Sequence, residues 1–399
     1  MKRFLSIVVA SAMVAASLAG CGSSAASGSD TEAATAGTES VAEGTVFKIG
    51  GIGPVTGPAA VYGQAVKNAA QLAVDEINAA GGINGVQVEF KFEDDEHDAE
   101  KAVNAYNTLK DWNMQLLLGT VTSTPCTAVV EKTHEDNLFQ LTPSGSAVES
   151  IQYDNAFRVC FSDPNQGKAS AQYIGENKLA SKVAVIYNSS DVYSSGIYQT
   201  FAAEAANQGI EVVAAEAFTA DSNTDFSVQL KKIKDSGAEL LFLPNYYSDN
   251  ALILQQAHDA GMDDMKKFGV DGMDGILGVE NFDTSLAEGV MLLTPFSATS
   301  DDEKSKAFVD AYEAANKDEV PNQFAADAYD VIYAMQLAAN DAGITPDMSN
   351  EDISAALSAS MLNIELDGLT GKAKWTEDGE CDKEPKAFEI KDGAYVEMK

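Results

Sequence analysis

Val46-Phe47-Lys48-Ile49 runs into Gly50-Gly51-Ile52-Gly53-Pro54-Val55-Thr56-Gly57, and a long stretch from Ala59 to Ala80 follows. The first four residues read as a strand, and the Gly/Pro-rich segment Gly50 to Gly57 reads as a loop. Within Ala59 to Ala80, Val66, Ala70, Ala73 and Ile77 recur at helical spacing, which predicts a helix with one buried stripe. Gly81-Gly82 ends it, because glycine takes the left-handed conformation at little cost. Asn84-Gly85 then turns the chain into the alternating run Val86 to Phe92, a second strand. Strand, loop, helix and strand make a unit whose two strands lie parallel.

The same alternation extends outward. A helix is predicted over Ala99 to Asp111 and a strand over Gln115 to Leu118. Further short apolar strands are Phe139 to Leu141, Lys182 to Tyr187, Ile210 to Ala214, Glu239 to Leu243, Lys267 to Val270 and Val290 to Leu293. Helices separate them; one is Asp225 to Asp235, with Phe226, Leu230 and Ile233 on one face. Strands this short and apolar belong to parallel sheets covered on both sides. The fold class is therefore α/β, with doubly wound parallel sheets in two lobes, since the segment from Thr45 to Lys399 is long for one. Such sheets place ligand loops beyond the carboxyl ends of their strands. That rule selects Gly50 to Tyr62, Gly119 to Thr124, Thr142 to Ser146, Tyr187 to Tyr193, Pro244 to Tyr247 and Asp271 to Asp274.

The N-terminus reads as an address. Lys2 and Arg3 precede the uncharged apolar run Phe4 to Leu18, which is short for a membrane span. Leu18-Ala19-Gly20-Cys21 resembles a bacterial lipobox, which implies cleavage before Cys21 and a lipid on its thiol. Gly22 to Gly44 is rich in Ser, Ala, Gly, Thr and acids; it cannot bury enough surface to offset its ordering entropy and reads as a tether.

Net charge is −35, from 61 acids against 26 bases. Losing Lys2 and Arg3 with the leader makes the chain more negative still. Such a surface repels nucleic acid and excludes it as a partner class. Beyond Cys21 stand Cys126, Cys160 and Cys381, an odd number that argues against a disulfide framework; one bridge stays open, with no pair selected. Cys160, in Arg158-Val159-Cys160-Phe161, reads as a buried small hydrophobe. A serine hydrolase would need a histidine base, yet His97, His134 and His258 stand by no Gly-x-Ser-x-Gly elbow. The acidic run Asp94-Asp95-Glu96-His97-Asp98 lacks calcium-loop spacing and reads as a helix-start cluster. No enzyme, metal or cofactor is expected.

Several segments together resemble the leucine/isoleucine/valine-binding protein family, the type I periplasmic-fold solute receptors of ABC transporters. They are Gly53-Pro54-Val55-Thr56-Gly57-Pro58 with Tyr62-Gly63, Ile77 to Gly85, Thr142-Pro143-Ser144-Gly145-Ser146, Phe157-Arg158-Val159, Asp163-Pro164-Asn165-Gln166-Gly167 and Asp225-Phe226-Ser227. Their order covers nearly all of Val46 to Lys399. The resemblance implies two lobes joined by a three-segment hinge and an amino acid bound between them. Residues 1–20 form the leader and 21–44 the tether. Lobe 1 takes 45–162 and 295–370, and lobe 2 takes 163–294 and 371–399, with crossings near Phe161 to Pro164, Leu293 to Phe296 and Gly368 to Lys372.

On the matching positions, Ser123 and Ser146 would take the ligand carboxylate and Ser144 would offer its carbonyl to the ammonium. Asp271 would supply the opposing charge, Tyr193 and Tyr246 would close over the ligand, and Tyr62 would face its side chain. Read without the resemblance, Ser123 and Ser146 suit helix caps and Asp271 suits a turn. The chain departs from the family's pattern at Asp94 to Asp98, where a disulfide partner is missing, at Ser144, and at Met273 in place of an aromatic. The implied partners are an amino acid or similar solute, a membrane permease, and the membrane itself through Cys21, with the chain a monomer. The alternatives are a sensor subunit of the same fold, or a receptor for an amide or nucleobase.

Overall fold

The structure, a computed structural model, describes residues 45–398 except 318, 382 and 384. The leader, Cys21 and the tether lie outside the described residues. β1 (Phe47–Gly53) runs on past Ile49 through the glycines that the sequence assigns to a loop. The reason is steric. A Cβ on Gly50 would lie 2.7 Å from the Met114 sulfur, on Gly51 2.4 Å from the Phe92 ring, and on Gly53 2.4 Å from Val121. The strand is bare so that its neighbours' side chains can close over it.

After β1 come α1 (Ala60–Ala79), β2 (Val88–Asp94), α2 (Ala99–Asp111), β3 (Leu116–Leu118), α3 (Ser123–Glu135), β4 (Phe139–Thr142) and β5 (Ala156–Arg158). The middle of the chain supplies α4 (Asp163–Glu176), β6 (Lys182–Asn188), α5 (Val192–Ala205), β7 (Glu211–Phe218), α6 (Ser227–Asp235), β8 (Leu240–Leu243), α7 (Tyr247–Asp259), β9 (Lys266–Gly269) and β10 (Met291–Thr294). Then follow α8 (Glu303–Ala315), α9 (Gln323–Ala342), α10 (Asn350–Met361), β11 (Glu365–Gly368), β12 (Gly371–Lys374), β13 (Lys386–Lys391) and β14 (Ala394–Glu397).

Two sheets result. The first is parallel, in the order β2-β1-β3-β4-β5. The second runs β14-β13-β10-β9-β8-β6-β7, parallel from β10 to β7; β13 adds antiparallel to β10, and β14 adds antiparallel to β13, a hairpin absent from the sequence reading. Each sheet is covered on both faces. Val183, Val185, Leu240 and Phe242 pack on α4 and α5, while their neighbours Ala184, Ile186, Leu241 and Leu243 pack with α6 and α7. That alternation is the strand period of two at work.

The chain leaves the first sheet between Arg158 and Asp163, and leaves the second between Thr294 and Glu303 to bring α9 back against α1. The third passage corrects the sequence reading. Gly368 to Lys372 lies inside the β11–β12 hairpin, which packs on α9. The crossing to the second sheet runs instead from Lys374 to Lys386, so residues 371–374 stay with the first sheet's helices.

Asp98 caps α2, accepting from the Lys101 N–H, as expected of a helix-start cluster. Asn84 (φ 50°) and Gly85 (φ 82°) form the central pair of a primed turn. The Asn84 amide also donates to the carbonyls of Ala339 and Ile344, both at 3.0 Å, fastening the end of α9. Asn84→Ala loses both bonds and places a Cβ-only residue at positive φ, so urea unfolding should show a loss of about 1–2 kcal/mol. Cys126, Cys160 and Cys381 are each buried and unbridged; Cys160 is buried as expected, but with the charged groups of Arg158, Asp327 and Glu380 near it rather than inside an apolar cluster.

Candidate functional site

The ligand loops of the two sheets meet in a cleft. On the first-sheet side, α3 begins at Ser123, and its N-cap Thr122 makes no side-chain capping bond. The first-turn N–H groups of a helix have no intrahelical partners, so this uncapped end offers donors and a positive dipole end. Ser123 is not a cap. Its hydroxyl accepts from the Ala147 N–H at 3.1 Å and lies 3.5 Å from the Ser146 hydroxyl. Ser146 is fully buried and is not a cap either, since the 3-10 turn after it starts at Val148 from Ala147. The Ser144 hydroxyl donates to the Val121 carbonyl at 2.6 Å, which ties its loop to the strand-end before α3. Its own carbonyl accepts no bond among the described residues.

On the second-sheet side, Asp271 follows β9 and opens a 3-10 turn. Its carboxylate accepts from the Tyr193 hydroxyl at 2.6 Å. Burial holds Asp271 up at about 6, against the opposing pull of that hydroxyl. The Tyr193 oxygen also accepts from the Gly272 N–H at 2.9 Å. Only glycine fits there, because a Cβ on Gly272 would come within 2.5 Å of the same oxygen. Tyr193 stacks on Tyr246, with centroids 4.6 Å apart and planes 7° apart. The Tyr246 hydroxyl is buried and has no partner among the described residues.

Tyr62 does something the sequence did not suggest. Its hydroxyl donates to the Gly272 carbonyl at 2.5 Å and accepts from the Tyr247 N–H at 3.1 Å, bridging α1 to the second-sheet side. Its ring is fully buried, packed on Phe324 with centroids 4.1 Å apart and edge-on to Tyr247 at 4.8 Å and to Tyr246 at 5.7 Å. Two more bonds cross nearby: Val61 N–H to the Tyr247 hydroxyl at 3.2 Å, and the Thr124 hydroxyl to Asp191 at 3.0 Å.

All seven singled-out side chains thus border one region. Three further residues there carried no role in the sequence reading. Asp163, first residue of α4, is buried with neither carboxyl oxygen hydrogen-bonded; burial pushes it well above the usual carboxylate range, with the nearby Ser146 hydroxyl opposing. The Gln166 amide nitrogen is likewise unpartnered. His97 stands edge-on to Tyr246 at 5.3 Å with its Nδ1 2.9 Å from the Thr122 hydroxyl, and burial lowers its pKa. Asp163 and Gln166 stand in the quoted segment Asp163 to Gly167, where they read as a signature of fold. Their burial comes from the packing of α4 against α5, which leaves no local signal in the sequence. A groove of about 400 Å³ lined by Leu230, Lys231 and Gln256 lies apart from all of these residues.

A cleft between two wound sheets, with an open helix start and hydroxyls facing carboxyls and stacked tyrosines, defines a receptor for a small polar solute. The comparisons with known proteins agree. The periplasmic binding protein family matches residues 46–394, and the chain belongs to that family. The chain is 32% identical to the Leu/Ile/Val-binding protein homolog 3 of Brucella melitensis, over 79% of this chain and 84% of that one. It is 31% identical to the leucine-, isoleucine-, valine-, threonine- and alanine-binding protein of Pseudomonas aeruginosa, over 68% and 72% of the two. Among solved structures, the branched-chain amino acid transporter substrate binding protein LivJ of Streptococcus pneumoniae, in complex with isoleucine, is 30% identical with a TM-score of 0.79. That match covers 88% of this chain and all of that one. A leucine binding protein of Thermotoga maritima, 24% identical with a TM-score of 0.78 over 89% and 98%, shares the fold.

Proposed function

We propose that this chain captures an amino acid with an apolar side chain outside the cell and delivers it to an ABC permease, held at the membrane by a lipid on Cys21. The observation that carries the reading is the pairing of an uncapped helix start and two serine hydroxyls with a buried carboxylate across the cleft. A zwitterion needs donors at one end and acceptors at the other. The α3 N–H groups and the Ser123 and Ser146 hydroxyls take the carboxylate. The Ser144 carbonyl and Asp271 take the ammonium. The Tyr62 ring, its hydroxyl already committed elsewhere, leaves an aromatic surface for an apolar side chain. The names of the relatives support the same class of ligand.

Lobe 1 takes 45–162 and 295–370, with the β12 segment joined to it, and lobe 2 takes 163–294 and the remainder. The solute docks on Ser123 and Ser146, and hinge closure brings Asp271, Tyr193 and Tyr246 over it. The closed form is favoured because only it makes both sets of contacts.

A thermal-shift screen of the chain against the common amino acids tests this. Binding to the folded state raises Tm. A rise with leucine, isoleucine, valine or similar residues is expected, and silence from all amino acids would remove the reading. Incorporation of labelled lipid, lost in Cys21→Ser, tests the anchor.

The buried carboxyls make a separate prediction. Burial chiefly holds Asp271, Asp274 and Asp249 at about 6, Asp95 at about 7 and Asp327 at about 8. These values are raised, so the folded chain binds protons that the unfolded chain has lost. Stability therefore increases as pH falls from about 8 towards 5. Without added solute, Tm at about pH 5.5 should exceed Tm at about pH 8. Amino-acid affinity should move the opposite way, because Asp271 must be ionised to hold an ammonium. Calorimetry at the two pH values checks both signs.

A further inference from the structure

The described residues contain a single arginine. Of the 26 lysines and arginines in the chain, only Arg3 and Arg158 are arginine. Arg158, the last residue of β5, is fully buried beneath the loop that carries Ser144 and Ser146. Its Nη1 donates to the carbonyls of Gly145 (3.3 Å) and Ser146, and its Nη2 to the carbonyl of Ala147 at 3.0 Å. Its Nε lies 3.4 Å from the Glu380 carboxylate. Its backbone is fixed too: the Arg158 N–H donates to the Gly379 carbonyl at 3.1 Å, and the Trp375 indole donates to the Arg158 carbonyl at 2.7 Å. A lysine could not replace it, because one ammonium on a flexible stem cannot hold three carbonyls in a planar fork.

The effect on the loop follows from peptide geometry. In a trans peptide, the C=O of one residue and the N–H of the next point in opposite directions. Drawing the carbonyls of Gly145 and Ser146 back onto the guanidinium turns the N–H groups of Ser146 and Ala147 away from it. The Ala147 N–H reaches the Ser123 hydroxyl, and the Ser146 N–H makes no hydrogen bond among the described residues. We propose that Arg158 is a positioning residue for the ligand carboxylate: it acts from behind the loop, holding the Ser146 N–H open towards the cleft and reinforcing its partial positive charge. This rests on the amino-acid reading above. Arg158 itself touches no solute.

Arg3→Lys leaves Arg158 as the chain's only arginine, so the full chain labelled with guanidinium-15N arginine reports it alone by NMR. Saturation with the best-binding amino acid should shift the Nη signals. Saturation with the amide of that amino acid should leave them near their starting positions. In parallel, Arg158→Lys should lose roughly tenfold of the preference for the acid over its amide. A merely structural role would lower Tm and weaken both ligands equally. Nη signals that stay put while the amino acid binds overturn the proposal even if the lysine variant fails to fold. An unchanged acid-over-amide preference in a folded Arg158→Lys chain also overturns it. If no amino acid binds, the receptor reading falls and this one with it.

Discussion

Asp271→Asn should weaken binding of the preferred amino acid about thirtyfold to a hundredfold while the chain stays folded. The substitution keeps the shape of the side chain, and the Tyr193 hydroxyl can still donate to the amide oxygen in the place of its 2.6 Å bond to the carboxylate. What is lost is a charge facing an ammonium in a site withdrawn from water. Charge-assisted hydrogen bonds are about twice as strong as neutral ones, and a hundredfold corresponds to about 2.7 kcal/mol. The unliganded variant should be no less stable than the parent, because it no longer buries a carboxylate that burial holds at about 6. Calorimetric titration gives the affinity and a thermal melt gives the stability. Unchanged affinity would remove Asp271 from the ligand site. Lost affinity together with a large drop in Tm would make its role structural.

Gly63→Ala should be among the most damaging single-methyl changes, costing about 3 kcal/mol or more. A Cβ at this position in the first turn of α1 would sit 2.0 Å from the Pro54 carbonyl oxygen and 2.8 Å from the Pro54 nitrogen. Both neighbours are backbone, so no flexible side chain can swing aside. Either α1 or the β1–α1 loop must move, and Tyr62 moves with them. Urea unfolding should show the loss of stability. Amino-acid affinity should also fall, because the bridge from Tyr62 to Gly272 and Tyr247 depends on that turn. A variant with the stability of the parent would mean that this approach is looser than the distances state.

How much of this could be read from the sequence depends on the range of the forces involved. α2 begins at Ala99 and ends at Asp111 as expected, because its cap and its periodicity are local. The end of β1 was misplaced because its glycines serve neighbours from elsewhere in the chain, Met114, Phe92 and Val121. The β13–β14 hairpin turns on Asp392 and Gly393, both at positive φ, so its signal in the sequence is a local Asp-Gly pair. In the cleft, the hydroxyls of Ser123 and Ser146 and the carboxylate of Asp271 follow strands, and the rule for wound sheets finds such positions. The bond partners of Tyr62 lie far along the chain, and the isolation of Asp163 arises only when α4 and α5 pack together. Neither leaves a local trace in the sequence.

The cross-cleft bridge of Tyr62 has a kinetic consequence. If a bound solute leaves by the proposed hinge opening, the bonds from Tyr62 to Gly272 and Tyr247, and from Val61 to Tyr247, would have to break together. They touch no part of the cargo, yet on the proposed hinge they would lengthen its stay. Dilution outside the cell would then drain such a carrier slowly. Unloading falls to whatever machine can pry the halves apart, and the carrier keeps its catch until it reaches that machine.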